Sequence, residues 1–337
     1  MKLKTLLLGS AAAMIAVTGA RAADAVVAEP EPVEYVRVCD MYGNGFFYIP
    51  GTETCLNING YVRVEYIYQD GDFDRTTDGD NSDSADDFAY RARLNFDVRN
   101  ETDYGTLRSQ IRLQGDSSGQ GAVDAGVGVD RALISLAGFR LGYSDSFTTT
   151  FHGYGLPLER NDGFYGFDQA IFFDYTYAAN GFAAAVGVQQ SLASDPEDVG
   201  DYDVYAGLSY SGSIGSIAGS YIYESGPDAN AWKVSATLNV IENLTIKGFY
   251  VGDDGNNSQQ VEGFGEYAFG IGAEYQINSD LAFNVGYSGL EGETASGADD
   301  FVAIGLRWNP VPGLSIRPEV RFDGNEEEYS VRVYRTF

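Results

Sequence analysis

From Leu56 to its end, the chain repeats one unit: roughly ten residues in apolar/polar alternation, then a turn. The clearest instance is Phe88-Ala89-Tyr90-Arg91-Ala92-Arg93-Leu94-Asn95-Phe96-Asp97-Val98-Arg99, where even positions are apolar and odd positions mostly charged or amide. A β-strand turns successive side chains to opposite faces, so this period of two specifies a strand with one greasy and one wet face. Leu107, Ser109, Ile111 and Leu113 repeat it against Arg108, Gln110, Arg112 and Gln114. Trp232, Val234, Ala236, Leu238 and Val240 alternate with Lys233, Ser235, Thr237 and Asn239. Leu314, Ile316, Val320 and Phe322 alternate with Ser315, Arg317, Glu319 and Arg321. About sixteen such segments fit between Leu56 and Phe337, an even number of the kind that closes a single-chain barrel.

The connections sort into two kinds. Short ones fall at Asn100–Tyr104, Ala137-Gly138, Asn180-Gly181, Ser211–Ser213, Ile241–Asn243, Asn278–Asp280 and Asn309–Gly313. Long, acidic, Gly-rich ones fall at Asp70–Asp87, Gly115–Gly128, Ser144–Asp168, Ser191–Asp201, Glu224–Asn230, Gly252–Glu262, Ser288–Asp300 and Asp323–Glu328. Short and long alternate, which describes an antiparallel meander with one tight rim and one loop-bearing rim. The expected fold is all-β: a transmembrane antiparallel barrel of about 16 strands over residues 56–337. A soluble β-sandwich also alternates, but its connections do not sort by length into two rims. A β-solenoid would show a fixed-period repeat, and none is visible. Tyr and Phe near strand ends suit the aromatic girdles of a membrane barrel.

The N-terminus supplies the compartment. Lys2 and Lys4, the apolar run Leu6 to Val17, and Ala20-Arg21-Ala22 before Ala23-Asp24 read as a cleaved signal peptide over residues 1–22. The apolar run is too short for a transmembrane anchor. Export makes Cys39 and Cys55 a natural disulfide, a staple within the segment 23–55, rather than two buried free thiols.

Composition excludes several functions. The chain has 49 acidic and 21 basic side chains, a net charge of −28. Removal of Lys2, Lys4 and Arg21 with the signal takes the mature chain to −31. Such a surface lacks the positive charge that binding nucleic-acid phosphates demands. One His and two Cys leave little for a zinc site or a His-based triad, and no cofactor is expected. His152 is the single imidazole, and no Gly-x-Ser-x-Gly surrounds any serine, which sets an outer-membrane hydrolase far behind a channel. Asp74-x-Thr76-x-Asp78-Gly79-Asp80 begins like a calcium loop, but Ala85 stands where a bidentate Glu belongs, so a solvated loop is the better reading.

If apolar positions face lipid, the opposite parity lines the lumen. Arg63, Arg91, Arg93, Arg99, Arg108, Arg112, Arg131 and Arg140 hold that parity on the first five strands, and Arg307, Arg317, Arg321 and Arg332 on the last three. Closure sets the last strand beside the first, so these arginines are expected to form one basic wall. The longest connection, Ser144 to Asp168, is rich in glycine and aromatics, which suits a loop folded into the lumen. Its acids Asp145, Glu159, Asp162 and Asp168 are then expected to oppose the arginines across a constriction. Its rings Phe147, Phe151, Tyr154, Phe164, Tyr165 and Phe167 offer either a greasy track for sugars or, better, packing against the wall. A water-filled pore for small hydrophilic solutes and ions leads; a solute-specific channel is the alternative.

Specific stretches carry a resemblance beyond pattern. Ala23-Asp24-Ala25-Val26, Val33-Glu34-Tyr35-Val36-Arg37-Val38-Cys39-Asp40, Gly45 through Leu56 and Gly60-Tyr61-Val62-Arg63 resemble alphaproteobacterial general porins. Gly105-Thr106-Leu107, Gly215-Ser216-Ile217-Ala218-Gly219, Val311-Pro312-Gly313-Leu314 and Pro318-Glu319-Val320 echo them more weakly. The resemblance implies an outer-membrane homotrimer of sixteen-stranded barrels, set in lipid and lipopolysaccharide, with the third loop narrowing each pore. It does not imply the pore's charge preference. The chain ends Tyr329 to Phe337 as a last strand with a terminal Phe, like the assembly signal of such proteins; Arg335 departs from it by falling on the apolar side.

Overall fold

The computed structural model describes residues 37–70, 84–117, 126–158, 169–190, 201–255, 258, 266–291, 300–323 and 326–337. Its strands are β1 Phe46–Tyr48, β2 Cys55–Asp70, β3 Ser84–Thr102, β4 Gly105–Ser117, β5 Gly128–Leu136, β6 Phe139–Asp145, β7 Gln169–Ala179, β8 Phe182–Gln190 and β9 Tyr202–Gly212. They continue with β10 Gly215–Glu224, β11 Ala229–Ile241, β12 Leu244–Asp253, β13 Tyr267–Gln276, β14 Leu281–Leu290, β15 Asp300–Val311, β16 Leu314–Asp323 and β17 Glu326–Thr336. Among the described residues one short α-helix, α1 (Phe147–His152), interrupts them.

Each strand from β2 to β17 pairs antiparallel with its sequence neighbours, and β17 pairs with β2 from Glu327↔Asp70 to Thr336↔Tyr61. Sixteen strands therefore close into a barrel without a free edge. The terminal residue completes the seam, since Phe337 and Gly60 exchange backbone N–H···O bonds. Arg335 points out of the seam and donates to the carbonyls of Pro312 and Thr336 at the strand end, where a cation stays clear of the apolar band.

Tight turns form where the sequence tolerates them. Ala137-Gly138 and Asn180-Gly181 have positive φ at both positions (52° and 90°, 52° and 83°), the geometry whose twist matches paired strands. Outward residues follow the depth of a bilayer. Val62, Val64, Ile111, Ile134, Val186, Leu208, Val234, Ile271 and Ile304 are exposed on the exterior. Ring pairs band the loop-bearing end (Tyr66–Phe88, Tyr250–Tyr267, Phe269–Tyr287) and the tight-turn end (Phe139–Tyr175, Phe182–Tyr210). No helix among the described residues is long and apolar enough to cross a membrane; crossing is by strands.

Strand ends differ from the alternation-based bounds. Backbone pairing carries β3 from Ser84 rather than Phe88, since a hydrogen-bonded ladder does not itself require apolar/polar alternation. At the other extreme, β6 is only seven residues, because the chain leaves the wall at Asp145 to enter the lumen.

The N-terminal staple sits at the foot of β2. Cys39–Cys55 is a disulfide, and both cysteines are buried with Phe46. β1 pairs with β2 (Phe46↔Asn57 to Tyr48↔Cys55), below the point where β17 runs out. Arg99 on β3 lies over Phe46 and Tyr42, and Tyr42 Oη donates to Glu101 at 2.9 Å. Replacing both cysteines with serine is expected to lower stability by about 3 kcal/mol, the loop-closure contribution for a span of this size. A guanidinium unfolding curve in detergent micelles should show the lower midpoint; an unmoved midpoint would mean the pairing at β1 suffices alone.

Candidate functional site

The lumen has two unlike halves. On β2–β6 and β15–β17 the inward positions carry long charged side chains, and the β17–β2 seam makes the two runs continuous. On β7–β14 many inward positions are small, and there the third long connection docks.

The twelve arginines of lumen parity project into the first half, but they do not stand as a bare basic wall. Acids of the same parity share it. Asp97 takes bidentate hydrogen bonds from both Arg99 (3.0 and 2.6 Å) and Arg108 (2.9 and 2.6 Å). Arg91 Nε donates to Asp116 at 2.8 Å, and Arg307 Nη2 to Glu274 at 2.7 Å. Arg140 Nε donates to Asp174 at 2.9 Å, where Tyr205 Oη also donates. Glu65 pairs with Arg332 at 2.7 Å and with Arg63 at 3.7 Å. Arg317 donates to Ser315 and lies over Tyr334, and Arg321 lies over Phe301. Neutralisation across the register makes so dense a row of like charge tolerable.

One irregularity sharpens the network. Between Arg112↔Arg131 and Leu113↔Val129 the β4–β5 register shifts, leaving Asp130 as an extra residue. Such a bulge re-aims side chains, and here consecutive Asp130 and Arg131 both reach the lumen. Asp130 pairs with Arg112 and, at 3.6 Å, with Arg93, whose Nε donates to Gln114. Asp145, the fully buried last residue of β6, then receives Arg112 Nη2 at 2.7 Å, Arg131 Nη2 at 2.8 Å and Tyr154 Oη at 2.8 Å. So Asp145 does not look across a gap at the arginines. It is bonded to them directly at the root of the loop, and Tyr154 ties the loop's returning chain to the same carboxylate.

The loop itself crosses the other half. Phe147 stacks on Phe151 (4.8 Å between centroids) and on inward Tyr205 (4.2 Å), within an apolar cluster that includes Ala185, Ile222 and Ala231. The wall admits these rings because inward Gly207 has no side chain: a Cβ there would lie 2.7–2.8 Å from Phe151 and Phe147. Leu156 joins Phe249, Val251, Ala268 and Leu290, and Gly272 gives Pro157 the same clearance. His152 closes α1, with Nδ1 2.8 Å from Ser235 Oγ and Nε2 2.7 Å from Ser220 Oγ. Burial first, then the charges of Lys233 and Lys247, hold its imidazole down at about 3. The other expected constriction acids, Glu159, Asp162 and Asp168, and the rings Phe164, Tyr165 and Phe167 lie outside the described residues, as do the segment 1–36 and the calcium-like run from Asp74 to Asp80.

The parity rule that found the arginines would also have found Glu65, Asp97, Asp116, Asp174 and Glu274, and inward Lys233 and Lys247. Asp130 was beyond it, since a bulge breaks parity. No metal-type cluster of His, Cys, Asp and Glu forms among the described residues.

A closed sixteen-stranded barrel, apolar outside, charged within and entered by its own third long loop, defines an outer-membrane channel protein. A model of the Porin subfamily matches residues 24–336. Porin Omp2a of Brucella ovis is 37% identical, the match covering 96% of this chain and 98% of that relative. Porin Omp2b of Brucella suis biovar 1 (strain 1330) is 36% identical over 96% of this chain and 92% of its own length. Among solved structures, a triple mutant of the Rhodopseudomonas blastica porin superposes with a TM-score of 0.59 at 18% identity, covering 84% of this chain and all of that one, a likeness of fold. The chain belongs to the porin subfamily.

Proposed function

We propose that this porin is a general diffusion channel of the outer membrane, passing small hydrophilic solutes and ions down their gradients without a cofactor. The observation that carries the reading is the closed barrel whose lumen holds a paired-charge wall and an infolded loop: charged groups lining a water-filled passage sort solutes by size and charge. Phe147 packs on the wall against Tyr205 at Gly207 rather than lining a track, which favours the general pore over a sugar-specific one. The chain is read as exported by a signal peptide cleaved after Ala22, and as a homotrimer in contact with outer-membrane lipid and lipopolysaccharide. The constriction comprises the Arg91, Arg93, Arg112 and Arg131 side of the wall, with Asp116, Asp130 and Asp145 bonded to it.

Purified protein in a planar bilayer should give stepwise conductance; a protein that never conducts would overturn the reading. Serine at Arg91, Arg93 and Arg112 together would leave Asp116, Asp130 and Asp145 short of counter-charge. The reversal potential in a salt gradient should then move toward cations, and an unmoved value would refute the role given to this wall.

A further inference from the structure

Below the Asp145 cluster, toward the tight-turn rim at Ala137-Gly138, the lumen holds a cavity of about 650 Å³ between the charged wall and α1. That is within the ordinary range for small-molecule sites. Three guanidiniums line it, those of Arg99, Arg108 and Arg140, and among the described residues no carboxylate does. The hydroxyls of Ser135, Thr176 and Ser209 stand around them, and Phe151 of the helix faces them.

The ion pairs here engage each guanidinium along one edge only. Arg99 and Arg108 share the single carboxylate of Asp97, each through Nε and Nη2, and Arg140 engages Asp174 by the same edge. Glu101 stands close as a third acid, accepting from the lining Thr106 Oγ1 at 2.6 Å, and Nη1 of each guanidinium lies outside its ion pair. The guanidinium fork is suited to planar or tetrahedral oxyanions. Hydroxyl groups complement the hydroxyls of a polyol, and an aromatic face suits its C–H surface. We infer that this vestibule is a subsite for small polyhydroxylated anions, bearing a carboxylate or a phosphate, which pause there in transit. The inference rests on the channel reading and names the solute class that the lumen retains.

Single-channel recording of the full chain tests it, with gluconate, glucose 6-phosphate and uncharged glucose added to either side in turn. Both anions should interrupt the current at concentrations at least tenfold below glucose, more often from the tight-turn side. Block by gluconate alone identifies the carboxylate as the retained group, and block by glucose 6-phosphate alone the phosphate. Arg108→Ser should raise the half-blocking concentration about tenfold, the change that loss of roughly 1.4 kcal/mol produces. Ser209→Leu fills the cavity without touching an ion pair and should do the same, which covers the case of an Arg108 variant that fails to fold. Anions that block no better than glucose, or block both variants as well as the parent, would overturn the subsite alone. A protein that never conducts would overturn the channel reading and the subsite with it.

Discussion

Asp145→Asn is expected to loosen the third loop and turn the pore toward anions in a single step. The carboxylate is fully buried and accepts from Arg112, Arg131 and Tyr154; the Arg112 side chain is only 5% exposed. An amide offers one acceptor where two guanidiniums and a phenol converge, so part of that cluster is left buried without its counter-charge. Breaking a buried pair costs about 3–5 kcal/mol, and the lower end applies because Arg131 is partly in water. The melting temperature in detergent should fall accordingly. The wall also gains one positive charge at the loop's root. A unit charge at ~4 Å from a passing ion is worth roughly 1 kcal/mol in water, about fivefold in the anion-to-cation permeability ratio. Asp116→Asn supplies the comparison. It removes the same charge from Arg91 at an exposed site that holds no loop, so it should shift selectivity with little loss of stability. An Asp145→Asn pore with the parent's reversal potential and melting temperature would show that the loop is held elsewhere.

The barrel was legible because lipid imposes a uniform test on every second residue. Val62, Ile111, Val234 and Ile304 had to be apolar wherever they fell in the chain, and the turns at Ala137-Gly138 and Asn180-Gly181 announced where the direction reversed. Closure then followed from counting, and the arginines from parity. What resisted reading depends on register rather than period. Asp97 lies two residues from Arg99 on one strand, but its second partner, Arg108, is set beside Arg99 only by the β3–β4 pairing. Asp130 reaches the lumen only through a bulge that no alternation reports. The path of the loop was written in residues passed over, the inward small positions Ala185, Gly207, Ala231 and Gly272, whose absence of bulk on one side of the barrel marks where another segment must lie. A net charge of −28 told nothing of this, because inside the pore the basic groups are matched locally by acids.

Acid is expected to weaken the docking of α1 through one residue. His152 sits between Ser220 on β10 and Ser235 on β11. The charges bearing on it are Lys233 of β11 and Lys247 of β12; Phe151 presents its ring edge-on, and Glu224, an acid on β10, stands two inward positions beyond Ser220. Burial and the two ammonium groups hold the docked imidazole at about 3, whereas a released loop would return it to an ordinary value near 6.5. The docked state therefore takes up a proton less readily than the released one. Its stability is fully present above pH of about 6.5 and falls by roughly 1.4 kcal/mol for each unit below that, until the docked imidazole itself titrates. At pH of about 4.5 the docked-to-released ratio should have dropped by roughly a hundredfold relative to neutral pH. Conductance fluctuations from a mobile loop should grow over this range. Wall carboxylates begin to titrate at the acid end and would alter the current on their own, so the comparison is with His152→Gln. That variant keeps a polar group between the two serines and removes the proton site, and its fluctuations should lack the component that sets in below pH 6.5. Parent and variant with the same pH profile would mean that the buried imidazole is a spacer, and that the loop's hold on the wall rests on Asp145 and the apolar cradle alone.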